Sequence, residues 1–548
     1  MKTTNLKSVM MVLVALFSLN VNALNYDITV DGICYVLDTN KKSAMVTNGQ
    51  YSGRIVIPSS INYNGTDYPV TSIGGRVFYG KKITSVTIPS SIISIGSNAF
   101  YNCVDLRAVY ITDLVAWCNI TFHEANSNPL QYAHHLYLNG EEVKDLVIPS
   151  NFTTIGSNVF SGCSGLTSVT IPNSVTTIDD TAFSECTGLT SVTIPNSVTT
   201  IGNNVFYGCT GLTTIDIPNS VTSIGSNAFN GCSSLKSVTI PNSITTIRGY
   251  TFNECGSLTS VDIPNSVTKI GNNAFQSCTS LRSIDIPSSV TTISSYAFCY
   301  SGLTSIDIPN SVTSIEPFAF FDCNALTSAT IGNSVEEIGN SAFCDCDILT
   351  TVTLNYHYIT SDMRKAFGPH IKSYVFGNTV TGIGYQAFEG LGELTSVTFG
   401  NSIKTIDRFA FQNCTGLNTI VLPSSITEIG DAAFMGCANL TDFYCYAENV
   451  PQWSLYYHYD EDDYRNITLH VPSISIDAYK QNKSQTWVFF RDIVALPENG
   501  STGINTITAI NNVENQIFTA DGKPVETLQK GVNIIRYSDG QTKKVYVK

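Results

Sequence analysis

Charged side chains are scarce in this sequence. Asp, Glu, Lys and Arg supply 13% of its 548 residues, and the balance is acidic, with a formal net charge of −14. Binding to nucleic acid needs clustered Lys and Arg to neutralise phosphates, so that class of partner is excluded. Histidine is scarcer, at seven residues. None is paired in sequence with a plausible nucleophile, and GxSxG, HExxH and the glycine-rich phosphate loop are all missing. We therefore read no enzyme, no catalytic residue, no metal site and no cofactor. Long apolar runs are missing too. The one early run, Val9 to Leu19, is too short to span a bilayer comfortably. It lies between Lys2 and Lys7 and the small-residue site Val21-Asn22-Ala23, the pattern of a signal peptide over residues 1–23. The chain is expected to be exported and to carry no transmembrane segment once that signal is removed.

What the sequence has in abundance is itself. A 23-residue unit recurs, clearest at Leu166 to Gly188 (LTSVTIPNSVTTIDDTAFSECTG) and again at Leu189 to Gly211. Prolines 149, 172, 195, 218, 241, 264 and 287 fall one period apart, and the phase continues through Pro309, Gly332, Asn355, Gly377, Gly400 and Pro423. A fixed period of this size marks a solenoid, in which each unit buries its apolar face only against its neighbours; we count about eighteen rungs. Leu166, Val169 and Ile171 have the LxxLxL spacing of a short strand. Pro-Asn-Ser then turns the chain, because proline offers no ladder donor and asparagine tolerates bends. Val175 and Ile178 face inward on the return leg, and Phe183 brings an aromatic back to the core. The asparagines 173, 196, 219, 242 and 265 are expected to form a hydrogen-bonded ladder at the turn.

Sixteen cysteines in an exported protein would ordinarily suggest disulfides. Here Cys163, Cys186, Cys209, Cys232, Cys255 and Cys278 recur at the repeat period, each three residues after a phenylalanine. One phase of a solenoid makes an interior ladder, where free cysteine acts as a small hydrophobe. Parallel side-chain vectors on stacked rungs are poor bridge geometry. Reduced, buried thiols are expected, with a stray bridge left open among Cys34, Cys118, Cys344 and Cys346.

The solenoid is assigned to residues 53–445, after a β-type cap at 24–52. An insertion at 112–145 holds a hairpin signal at Asn139-Gly140, and Asp31-Gly32 and Asn64-Gly65 mark two more turns. Residues 446–496 leave the repeat and read as a closing cap, with Ile467 to Val471 as a last strand. Residues 497–504 read as a linker and 505–548 as a small basic β module.

The repeated motif LTSVTIPNSVTSIG-N-AF-GC resembles the BspA-like, or treponemal-type, leucine-rich repeats over roughly residues 53 to 440. The resemblance implies a mostly β leucine-rich-repeat solenoid, with a parallel sheet on a concave face. It also implies a surface or secreted protein that binds other proteins, such as host matrix components or other bacterial surfaces. The DG, KGVNIIR and DG-T-KKV-VK features of the last module resemble the secretion-sorting tails of Bacteroidota.

Two places are candidates for binding. Residues flanking the central Val or Ile of each strand line the exposed face, and there Asp216, Asp262, Asp285 and Asp307 interrupt Ser and Thr. The last three stand on consecutive rungs, roughly 5 Å apart if rungs stack as strands do. Like charges this close call for full solvation, a basic partner or a cation such as Ca²⁺, whose oxygen-rich preference they suit. A retaining glycosidase also uses carboxylates at about that separation, but no sugar-enclosing cleft is evident and other rungs hold Thr. The second candidate is the segment WSLYYHYDEDDY, where Trp453, Tyr456, Tyr457 and Tyr459 either contact a protein or glycan or cover the final rung. His134 and His135 match no zinc spacing and read as local packing. The expected function is that of a monomeric, adhesin-like binding protein, with glycan binding or a structural spacer as alternatives.

Overall fold

Three sides per turn follow from the pattern of each 23-residue unit. The structure is a computed structural model. It describes residues 28–359, 363–453, 464–482 and 486–496, and four strands at 516–519, 524–525, 531–536 and 542–547. The signal-peptide segment, the linker, and Tyr456, Tyr457 and Tyr459 lie outside the described residues. The protein is a mostly β, parallel solenoid of about 19 turns, close to the count from sequence. It divides into two units: residues up to Asn418 with Glu428–Asn439, and Thr419–Thr427 with Leu440 onwards.

In the first unit, the turn from Leu166 to Gly188 shows how the sequence is used. Ser168–Thr170 pairs in parallel with Asp145–Val147 on one side and Ser191–Thr193 on the other, Val169 standing in register with Leu146 and Val192. Val169 is buried while Thr170 is exposed, as strand alternation requires. Pro172 turns the chain where no ladder donor is needed. Thr177–Ile178 forms a second parallel ladder with Thr154–Ile155 and Thr200–Ile201, Ile178 pointing inward.

The third side has no strand. The backbone enters the left-handed region twice, at Thr181 (φ 58°) and Glu185 (φ 59°), on either side of buried Phe183. This orients the N–H groups of Thr181, Phe183 and Glu185 towards the next turn, where the carbonyls of Asn203, Val205 and Tyr207 accept them at 2.9, 3.1 and 2.6 Å. On the strand sides the donors point backwards, as from Thr190 N–H to the Thr167 carbonyl at 3.0 Å. Each side of the turn thus hands its polar backbone to a neighbour, which lets so short a coil bury its interior.

Inside, identical residues stack. Phe160, Phe183, Phe206, Phe229, Phe252, Phe275, Phe298, Phe320, Phe343 and Phe367 form one column, with neighbouring centroids 4.7–5.8 Å apart and ring planes within 13°. All sixteen cysteines are free. The ladder thiols do more than fill space: Cys186, Cys209, Cys232, Cys255 and Cys278 each donate to the phenylalanine carbonyl of the preceding turn at 3.1–3.2 Å. Burial pushes the thiols of Cys163, Cys209 and Cys255 up to about 12, so they stay protonated.

Three expectations are corrected. The turn ladder runs through serine, not asparagine: Ser197, Ser220, Ser266 and Ser289 donate to the carbonyls of Val175, Val198, Ile244 and Val267 at 2.6–2.7 Å. Asn173, Asn196, Asn219, Asn242 and Asn265 make no side-chain hydrogen bond with a described residue; the shorter hydroxyl reaches the carbonyl and the amide turns to solvent. The segment 112–145 carries helices at Leu114–Cys118 and Leu130–Ala133, and its Leu136–Leu138 strand pairs in parallel with Ala108–Ile111. It is an elaborated turn of the solenoid, fixed by Trp117 Nε1 donating to the Val159 carbonyl at 3.1 Å. The hairpin at Asn139-Gly140 (φ 53° and 90°) involves only Leu136–Leu138 and Glu141–Glu142, since Asp145–Val147 joins the parallel ladder.

The second unit has a parallel strand ladder of its own through Thr419–Leu422, Asp442–Cys445, Thr468–Val471 and Asp492–Ala495. The segment after residue 445 therefore supplies two further strands of this ladder, besides the short strand Gln452–Trp453, and Thr468–Val471 is not the last. Its interior has no repeating ladder. Trp453 and Trp487 meet edge to face at 4.8 Å, and Phe443, Tyr464, Tyr479 and Phe490 pack around them. Farther along, Gln516–Thr519 pairs antiparallel with Pro524–Val525 and Gly531–Arg536, and the latter with Thr542–Val547.

Candidate binding face

The exposed side of the three-residue strands is a field of hydroxyls held by side-chain ladders. Thr190 Oγ1 donates to the Thr167 carbonyl at 3.0 Å, Thr259 to Lys236 at 3.0 Å and Thr327 to Thr304 at 2.9 Å. A parallel series on the second ladder runs from Thr199 to Thr176 and from Thr222 to Thr199, at 3.2 Å each. These threonines spend their donors on the turn behind them, which stiffens both margins of the face.

Asp216, Asp262, Asp285 and Asp307 are all exposed on this face. None of the four side-chain carboxylates forms a hydrogen bond or ion pair with a described residue. Asp145 makes the contrast: Ser168 Oγ donates to it at 2.5 Å and Thr167 Oγ1 at 3.1 Å, and these bonds hold its pKa below the usual carboxylate value. Strand pairing is incomplete along this stretch. Thr239 pairs with Asp262, but pairing lapses between the turns of Asp262 and Asp285 and between those of Asp285 and Asp307. Directly opposed like charges disfavour pairing. The step from Asp216 to Thr239 is also unpaired, although Asp216 bridges to Thr193. Among the described residues, no three His, Cys, Asp or Glu groups converge to hold a metal ion.

Trp453 does not belong to a contact surface. It is fully buried (0% exposed) in the aromatic core of the second unit, so it cannot stack on a ligand, and the segment it opens covers a core at this residue. His134 and His135 turn apart: His134 Nδ1 lies 3.1 Å from the Gly162 carbonyl, and His135 Nδ1 lies 2.6 Å from Glu142 Oε1.

Sequence reasoning missed one cluster on the exposed face of the second unit. His470 Nε2 lies 2.9 Å from Asp442 Oδ1, and the His470 ring stacks on Tyr444 at 4.1 Å with planes 9° apart. Burial raises the Asp442 pKa, but hydrogen bonds from His470 and Thr441 outweigh it and the net shift is downward. Asp442 and Tyr444 flank buried Phe443 at the same phase as the serines and aspartates of the regular turns. That phase was the available signal.

The two strand ladders and the stacked interior define a leucine-rich-repeat solenoid. A family model described as "BspA type leucine rich repeat region" matches residues 59–128, 133–257, 245–367 and 365–486. The chain belongs to the BspA-type leucine-rich-repeat family. Among solved structures it is similar to a leucine-rich repeat protein from Bacteroides ovatus ATCC 8483, with 28% identity over 76% of this chain and 94% of that one, at a TM-score of 0.49. A leucine rich cell surface protein from Faecalibacterium prausnitzii A2-165 is 24% identical over 87% of this chain and 95% of its own, at a TM-score of 0.30. The pneumococcal vaccine antigen PcpA is 17% identical over 86% and 98%, at a TM-score of 0.35. No curated protein sequence matches the chain.

Proposed function

We propose that this protein is a non-enzymatic, adhesin-like binder of extracellular proteins, exported to the cell surface or released. The observation that carries this reading is the exposed strand face, where rows of hydroxyls surround Asp216, Asp262, Asp285 and Asp307, which have no counter-charge of their own among the described residues. A basic patch on a partner, from host matrix or another bacterial surface, would relieve the repulsion at the unpaired steps. A pre-formed face also avoids the entropy cost of ordering a flexible binder. Family membership supports the class. Among the described residues no helix is long and apolar enough to cross a membrane. The antiparallel module from Gln516 to Val547 is assigned the role of a secretion-sorting or surface-retention signal.

The test is a binding isotherm of the full chain on immobilised matrix proteins, beside the variant Asp262→Asn, Asp285→Asn, Asp307→Asn. We expect saturable binding that weakens about tenfold or more in the variant, equivalent to ~1.4 kcal/mol, and that falls as salt screens the charges. Binding of equal strength in the variant would remove the stripe from the contact.

A further inference from the structure

The second unit contains a cleft of about 410 Å³, lined by Ser424, Tyr446, Glu448, Asn449 and Val450 among others. Volumes of this order hold small ligands. Its wall, residues 446–451, has no regular secondary structure, yet it is held at almost every step. Tyr446 N–H donates to the Leu422 carbonyl at 3.2 Å, and Gln452 N–H to the Thr427 carbonyl at 2.9 Å. From beneath, Tyr479 OH donates to the Ala447 carbonyl at 2.9 Å, Ser475 Oγ to the Glu448 carbonyl at 2.6 Å and Trp487 Nε1 to the Pro451 carbonyl at 2.9 Å. Three polar groups of the closing cap are thus committed to one loop. Rigid support of this kind is what a binding constellation needs.

The loop's backbone is occupied, but the side chains it presents are not. Glu448 and Asn449 are exposed and make no side-chain hydrogen bond with a described residue, while Tyr446 is half-buried. Tyr446, one residue past the strand Asp442–Cys445, continues the alternation of Asp442 and Tyr444, and Tyr444 is stacked on His470. The cleft is therefore bordered by Tyr446, with Tyr444 two residues away and one face of its ring covered by His470.

We propose that this cleft binds a neutral sugar residue of a glycan chain, the chain continuing over Tyr444. A pyranose ring has an apolar C–H face that packs on tyrosine, and hydroxyls at its rim that both donate and accept. Glu448 supplies acceptors only, and Asn449 supplies both donors and an acceptor, which suits a polyhydroxylated ligand. A carboxylate at the mouth disfavours sulfated or phosphorylated ligands by repulsion. Glu448 has no second carboxylate in the lining, whereas hydrolysis uses a pair, so the cleft binds without cleaving. A basic peptide would answer the carboxylate but leave the amide and the Tyr446 ring unused. This site is separate from the Asp262, Asp285 and Asp307 stripe, so either can fail without the other.

The experiment applies the full chain to an array of immobilised neutral oligosaccharides, with a nona-arginine peptide titrated in parallel. Variants Asn449→Ala and Glu448→Gln change exposed side chains and leave the clamped carbonyls intact; Tyr446→Phe keeps the ring. We expect binding to a subset of neutral glycans, competed by free sugar and weakened about tenfold or more by Asn449→Ala and by Glu448→Gln. Tyr446→Phe and the triple aspartate variant should retain it. The proposal is overturned if no neutral oligosaccharide binds, if the two cleft variants bind as well as wild type, or if only the arginine peptide binds and does so through Glu448.

Discussion

The regular turns from Leu166 to Phe298 and the closing segment from Leu440 to Leu496 solve one problem in opposite ways. Both lay short parallel strands side by side and turn an apolar residue inward, as with Val169, Val192, Val238, Phe443 and Leu469. In the regular turns the same contacts recur from turn to turn: Phe on Phe, and each cysteine thiol on the phenylalanine carbonyl before it. In the closing segment no interior contact repeats among the described residues. Trp453, Trp487, Tyr464 and Tyr479 each occupy a unique place. Repetition spreads stability over many equivalent contacts, and a cap concentrates it in a few.

The comparison breaks first, and most heavily, at the cap. Trp487→Ala should cost ~3–5 kcal/mol from the lost ring, with about 1 kcal/mol more for the orphaned Pro451 carbonyl. Because its contacts are single-use, the second unit should lose near-UV circular dichroism as a whole. Phe229→Ala removes a comparable ring, stacked on Phe206 and Phe252 at 5.6 and 5.5 Å. Its intrinsic cost is again ~3–5 kcal/mol, but nearest-neighbour coupling should confine the loss to adjacent turns. Hydrogen exchange would show protection lost around Phe206 to Phe252 and retained near Phe160 and Phe343. Uniform loss along the whole unit would mean that the turns do not act as separable neighbours.

The thiol ladder gives a smaller and pH-dependent contrast. Cys209→Ala should cost about 1–2 kcal/mol, for lost volume and the lost thiol bond to the Phe183 carbonyl, which keeps its bond from Cys186 N–H. Burial raises the folded Cys209 pKa to about 12 against 9.0 for a free thiol. Above pH 9 the unfolded chain releases these protons and the folded chain keeps them, so stability falls as pH rises, by up to about 1.4 kcal/mol per pH unit for each thiol. Below pH 9 the term vanishes. Iodoacetamide at pH 8 should accordingly spare the ladder and label Cys344, which is partly exposed. Modification of Cys186 to Cys278 at the rate of a free thiol would contradict a dry, protonated column.

These contrasts also explain what was legible in the sequence. Period, strand phase and the Phe and Cys columns were readable because repetition turns a weak local preference into many agreeing copies. The left-handed positions were signalled as well, by Asn158, Asn204, Asn227 and Asn273 two residues before phenylalanine, but Tyr250, Tyr296 and Phe318 at that phase obscured them. Serine displaced asparagine in the turn ladder for reasons of reach that composition does not carry. In the closing segment no copy exists to compare. Asp442 and His470 lie 28 residues apart, off the repeat period, and only the longer return leg brings them together. Trp453 looked available for contact because an aromatic beside acidic residues reads the same at a surface as at the mouth of a core.

The finest test of the comparison lies in those obscured positions. Tyr250 holds φ 59° and is 42% exposed, in a column where asparagine is the usual occupant. A left-handed backbone costs an L-residue roughly 1–2 kcal/mol, and asparagine pays less because its short polar side chain bonds locally. If the regular turns are limited by local backbone preference, Tyr250→Asn should stabilise the first unit by about 0.5–1 kcal/mol, seen as a higher urea midpoint with an unchanged slope. The same exchange in the closing segment has no equivalent, since no copy there defines a preferred residue. A lower midpoint would mean that the tyrosine ring contributes more by its packing than its backbone strain costs, and that even a repeated turn is tuned by residues that do not repeat.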